Sequence, residues 1–148
     1  MAWQKEISVV GTDRQLLYGG GLLIALLVCI GIYLPGLPGA FLVDDIEHLS
    51  ALNSRGGVNN WDALLSFVFG SHSGDLGRPV AMLSFLLNDQ GFPGDVASYR
   101  YTNLMIHCLC GIALFVLCRQ LLVAMGAAED RAAEIALISS AWWLLLPL

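Results

Sequence analysis

Charge is what this chain has least of. Asp, Glu, Lys and Arg make up 13% of its 148 residues, hydrophobic side chains 57%, and the mean hydropathy is +0.70. A soluble globular domain carries roughly 25% charged residues, so that class is excluded and a membrane protein is expected. Positive charge is the scarcer sign, with seven Lys and Arg against twelve Asp and Glu, a net charge of −5. That balance excludes a nucleic-acid binder, which needs a basic footprint, and a polybasic segment for anionic lipid. Cysteine is sparse and badly placed for bridges or zinc. Cys29, Cys108, Cys110 and Cys118 all fall in apolar runs and form no C-x-x-C pair. They read as small hydrophobes. Internal repeats and low-complexity segments are missing too.

What the chain does have is long apolar runs. From Gln15 to Val43 there is no charge, and Leu16–Leu34 is almost wholly apolar. Nineteen residues at about 1.5 Å each reach roughly 28 Å, close to the hydrocarbon thickness of a bilayer. "PGLPGA" then ends the helix. Gly19, Gly20 and Gly21 inside the run predict a close approach by another helix. A cleaved signal peptide is the competing reading, but the apolar core is longer than the usual ~7–15 residues and no A-x-A-type site follows. A second span is expected over about 101–118, bracketed by Arg100 and Arg119. A third begins near Ile135 in "IALISSAWWLLLPL", fourteen residues long where ~20 are normally needed. It is expected to be incomplete, as in a fragment of something longer. Trp142 and Trp143 suit either an interfacial belt or bundle packing.

The expected fold class is therefore an all-α membrane protein, with two complete transmembrane helices, a truncated third, and short amphipathic helices in the loop 35–100. Lys5 and Arg14 precede the first span, and Arg119 and Arg131 flank the connection between the second and third. The long loop holds Arg55, Arg78 and Arg100 against seven acids. This bias places the N-terminus in the cytoplasm and loop 35–100 outside. Within the loop, "VDDIEHLSALNS" has apolar residues at three-residue steps, Val43, Ile46, Leu49 and Leu52. "NNWDALLSFVFG" offers Asn60 as an N-cap, with Trp61, Leu64, Leu65 and Val68 on one side. "GRPVAMLSFLLND" puts Pro79 at a helix start and is apolar nearly all round. These helices are expected to lie on or partly in the outer leaflet.

The densest ionisable cluster is "DDIEH", directly after the first span. On a helix, Asp44, Glu47 and His48 share a face, and Asp45 reaches His48 from the neighbouring angle. One carboxylate can serve as a general base toward an attacking hydroxyl. Alternatively, Asp44, Glu47 and His48 can hold a divalent metal ion that neutralises a phosphate leaving group. The plain alternative is a solvated face near a helix N-terminus. Asn103 and His107, at i and i+4 inside the second span, are expected to face a bundle interior or cavity. Their roles there range from an interhelical hydrogen bond to a transporter's polar relay. Arg78 can clamp a phosphate in a bidentate fork or pair with Asp75. His72 in "GSHSGD" reads as an exposed loop residue.

"FLVDDIEHL", "GRPVAMLSFLLN", "YRYTNLMIHCLCGIALFVLCRQLL" and "AWWLLLPL", in that order, resemble landmarks at the N-terminus of a bacterial family. It is that of the transmembrane and tetratricopeptide-repeat O-mannosyltransferases, within the integral-membrane glycosyltransferases of the GT-C fold. The resemblance runs from about Phe41 to Leu148. It implies a bacterial inner-membrane location with the loop in the periplasm, and a polyprenyl-phosphate-linked sugar donor. It further implies a protein or glycan hydroxyl as acceptor, and a catalytic acidic pair at Asp44 and Asp45. Arg78 is then assigned to the donor phosphate, and Asn103 and His107 to substrate binding. Such enzymes continue with more spans, with which these helices would associate. The donor cavity and acceptor module lie in those further parts. The non-enzymatic alternative is a membrane scaffold or assembly subunit whose loop binds a partner.

Overall fold

Twenty-odd apolar residues without an internal proline make a helix, and proline ends it. The computed structural model describes residues 2–40, 58–70, 78–88 and 95–146, with side chains from residue 14 onward. Helix α1 (Ala2–Tyr33) closes in a 3-10 turn, Leu34–Gly36. Pro35 lacks an N–H and disfavours helical geometry at Leu34. The helix starts well before the apolar run, passing through Lys5, Glu6 and Asp13. Charge does not stop a helix, and no proline lies in that stretch. The part long and apolar enough to cross a membrane is Arg14–Gly36.

The chain divides into two units, Met1–Pro35 with Leu104–Leu148, and Gly36–Asn103. In the first, α1 packs against the C-terminal helices. Besides α2 (Trp61–Phe69) and α3 (Pro79–Phe85), which belong to the second unit, the structure has α4 (Val96–Ala124) and α5 (Glu129–Leu145). The expected span 101–118 lies inside α4, with Arg100 and Arg119 at its two ends and the helix continuing beyond both. Its end is set by backbone geometry. Gly126 has φ +90°, its N–H donates to Val123 O, and the N–H of Ala127 donates to Leu122 O, both at 2.9 Å. This pair of bonds is the Schellman motif, and the left-handed residue it needs is a glycine. Glu129 and Asp130 open α5, where the helix dipole favours negative charge.

Cys29, Leu104, Cys108 and Leu144 form the core of this first unit, with Leu22, Leu26, Ile30 and Tyr33 packed around them. Helix α5 buries a face of small residues, Ala132, Ala133, Ala136 and Ser140. Of the predicted glycine contact, Gly21 alone takes part: a Cβ there would meet Leu137 Cδ2 at 2.8 Å, while Gly19 and Gly20 face open space. Two helices, α1 and α4, are long and apolar enough to cross a bilayer, and only 6% and 17% of their most apolar windows are buried. A core helix of a soluble protein would be mostly buried. Leu16, Leu27, Leu109 and Leu117 all point outward. Each would forgo about 1.5–3 kcal/mol in water relative to burial, which a surrounding bilayer removes.

In the second unit, Asn60 caps α2: its side-chain Oδ1 accepts from Ala63 N at 2.8 Å. The core is Phe67, Val68, Met82 and Tyr99, with Phe85 edge-on to Tyr99 at 6.1 Å. The buried face of α2 is Leu64, Phe67 and Val68, rotated from the predicted one. Trp61 is 77% exposed and Leu65 50%. The helix is apolar on most sides, so its pattern leaves the choice of face to the fit against α3. Pro79 stands at the start of α3 as expected. Asp95 Oδ1 accepts from Ala97 N at the start of α4. The "VDDIEHLSALNS" stretch lies outside the described residues. Among the described residues there is no strand.

Candidate functional site

The carboxylate cluster and its proposed metal ligands, Asp44, Asp45, Glu47 and His48, lie outside the described residues, as do His72 and Asp75. The structure does define the chain that leads into the cluster. Arg100 on α4 donates from Nη1 to Gly36 O at 2.7 Å and from Nη2 to Ala40 O at 2.8 Å. One guanidinium thus ties down both ends of "GLPGA", and its planar fork suits that geometry. Gly39 lies so close that a Cβ would collide with the Arg100 guanidinium. Ala40 is four residues upstream of Asp44.

A second polar knot in the same unit fixes the start of α4. Asn88 Oδ1 accepts from Ser98 Oγ at 2.9 Å and from Thr102 Oγ1 at 2.7 Å. Arg78 occupies the N-cap position of α3 with its side chain exposed, and its carbonyl accepts from Met82 N at 2.9 Å. It forms no ion pair with a described carboxylate. A cation at a helix N-terminus opposes the macrodipole, so helix stability does not account for it. A guanidinium fork can in general take a pair of phosphate oxygens.

Asn103 and His107 share a helical face but not an environment: Asn103 is exposed, whereas His107 is 7% exposed. His107 Nε2 lies 3.4 Å from Leu144 O, a bond it makes as the Nε2–H tautomer. Its ring stacks on Trp143 at 5.6 Å and meets Tyr33 edge-on at 6.0 Å. The Tyr33 hydroxyl donates to Leu146 O. These two carbonyls belong to the C-terminal end of α5, where a helix has no further N–H groups to offer. His107 is thus held as an interhelical hydrogen-bond donor, and its assignment to substrate binding has no geometric support of its own. Trp142 and Trp143 are both exposed, at 72% and 39%, and Trp143 covers the His107 ring with one face.

Arg100 and Tyr33 were not singled out by their residue pattern as site residues. No pattern in the sequence pairs Arg100 with "PGLPGA", since the carbonyls it holds lie 64 and 60 positions away. No group of three or more His, Cys, Asp or Glu side chains able to hold a metal occurs among the described residues. Comparison with protein-family models, curated proteins and solved structures finds no match for the chain.

Proposed function

We propose that this chain is the N-terminal membrane part of a GT-C-type glycosyltransferase, which moves a sugar from a polyprenyl-phosphate carrier to a protein or glycan hydroxyl. The observation that carries the reading is the sequence of events at one membrane boundary. A bilayer-length apolar helix ends at Gly36, and the acidic pair Asp44–Asp45 follows within ten residues. The connection between them is held on a second bilayer-length helix by Arg100. A lipid-linked donor keeps its tail in the hydrocarbon, so its reacting carbon lies near such a boundary.

In the reaction, Asp44 or Asp45 accepts the proton of the acceptor hydroxyl as its oxygen bonds to the anomeric carbon. The bond from that carbon to the phosphate oxygen breaks, the polyprenyl phosphate leaves with the electron pair, and the configuration inverts. Arg78 stabilises the charge growing on the phosphate. Asp44, Glu47 and His48 would hold a divalent ion if one is used, and it would supply the same charge stabilisation. In this reading the N-terminus and the α4–α5 turn are cytoplasmic, and residues 35–100 are periplasmic.

Replacing Asp44 and Asp45 by Asn in the longest natural form of the gene abolishes glycosylation while leaving membrane abundance unchanged. Full activity in that double variant overturns the proposal. A scaffold role is favoured by one feature, the exposed apolar surface of α2 and α3 at Trp61, Leu65, Phe69 and Val80. It predicts tolerance at Asp44 and Asp45, and loss of a copurifying partner on Trp61→Ser or Leu65→Ser. Phe85 is unsuitable for that test, since it packs on Tyr99.

A further inference from the structure

At the end of the first unit where the apolar run of α1 begins, four charges converge. Arg14 pairs with Asp130 at 2.5 Å, and Arg119 Nη2 lies 3.4 Å from Glu129 Oε2. Beneath them is a cleft of about 260 Å³, lined by Tyr18, Phe115, Arg119, Glu129 and Asp130 among others. The charged rim thus tops an aromatic wall. Arg14 is the last charged residue before the uncharged run that begins at Gln15, so the rim falls at the level where headgroups meet hydrocarbon.

The charge count selects the ligand. Arg119, Glu129 and Asp130 line the cleft, and Arg14 pairs with Asp130 from outside that lining, so the four charges sum to zero and an anionic headgroup would meet as much repulsion as attraction. A zwitterion finds a partner for each of its own charges. The Arg119–Glu129 contact is long and single, and it occupies one of the five N–H donors of the guanidinium. Glu129 is 70% exposed in its side chain, so its carboxylate remains open to a second donor. We infer that this cleft binds a phospholipid with a zwitterionic, primary-ammonium headgroup. Its phosphate lies on Arg119, its ammonium on Glu129 and Asp130, and the start of its acyl region against Phe115 and Tyr18. A primary ammonium donates hydrogen bonds to carboxylates, whereas a quaternary ammonium of the same charge cannot. The inference rests on the membrane reading of α1 and α4 and is independent of the transferase chemistry.

The test reconstitutes the full chain in nanodiscs of equimolar phosphatidylethanolamine and phosphatidylcholine with matched acyl chains, and counts retained lipids by native mass spectrometry. Retention of phosphatidylethanolamine exceeds that of phosphatidylcholine by about fivefold, a difference of about 1 kcal/mol. Glu129→Gln lowers the ratio, and Glu129→Gln with Asp130→Asn brings it to one. Arg119→Gln weakens retention of both lipids together, because both carry the phosphate. Glu129→Gln leaves the Arg14–Asp130 pair in place, and far-ultraviolet circular dichroism checks that the helices persist. A wild-type ratio of one, or a preference that survives the double substitution, overturns the inference. So does tight binding of soluble phosphoethanolamine without any preference between the lipids, which would assign the cleft to a free solute.

Discussion

His107 shows how a polar side chain inside an apolar helix is made tolerable. Burial without a partner would cost a few kcal/mol, and here a free backbone carbonyl and two aromatic rings remove most of that penalty. His107→Phe retains the ring contacts and gives up one long hydrogen bond, so it costs less than about 1.5 kcal/mol. His107→Ala opens a cavity beside Trp143 and costs about 2–4 kcal/mol. Thermal unfolding in detergent distinguishes the two. If His107 also touches the donor, His107→Phe loses far more transfer activity than its small loss of thermal stability accounts for. The residue was legible in the sequence as a buried polar group. Its partner was not, because Leu144 is 37 positions away and its carbonyl is free only where α5 ends.

Among the described residues, Arg100 of α4 holds the connection that follows α1 through two hydrogen bonds. Arg100→Gln removes the fork that holds Gly36 and Ala40, and Arg100→Lys replaces it with a point charge that does not span both carbonyls in the same way. Amide hydrogen exchange across residues 36–40 accelerates in both variants, more in Gln than in Lys, while the centre of α4 keeps its protection. Unchanged exchange in Arg100→Gln would show that the prolines alone hold the segment. Element boundaries follow the same logic of local chemistry. The spans were readable from apolar length, but the ends of α4 were not. Arg100 and Arg119 mark where the apolar residues thin out, whereas the helix runs on until Gly126 supplies a left-handed turn. Likewise the packed face of α2 differs from the expected one, since a helix apolar on most sides carries no strong directional signal.

For the whole molecule the decisive question is which side of the bilayer each turn occupies. Lys5, Arg14, Arg119 and Arg131 predict that the N-terminus and the α4–α5 turn share the cytoplasmic side. A phosphatase reporter that is active only outside the cytoplasm is therefore active when fused after Ser50 and inactive when fused after Met125. The opposite pattern would put Asp44 and Asp45 in the cytoplasm and remove the basis for chemistry on an externally presented lipid-linked sugar. The placement of Arg14 beside Asp130, and of Arg119 beside Glu129, gives that same end a balanced charge, in keeping with an ionic rim at the headgroup level.

Composition and apolar run length determined by themselves that this chain has two bilayer-length helices, because the cost of wetting some twenty apolar residues outweighs any local preference. They also determined that an acidic cluster follows the first of those helices. Tertiary structure decided which polar groups meet: Arg100 with the carbonyls of "GLPGA", His107 and Tyr33 with the end of α5, and Arg14 and Arg119 with its beginning. Those pairings depend on where helices stop and how they cross. Both are fixed by packing and by backbone groups left without partners, which hydropathy does not encode.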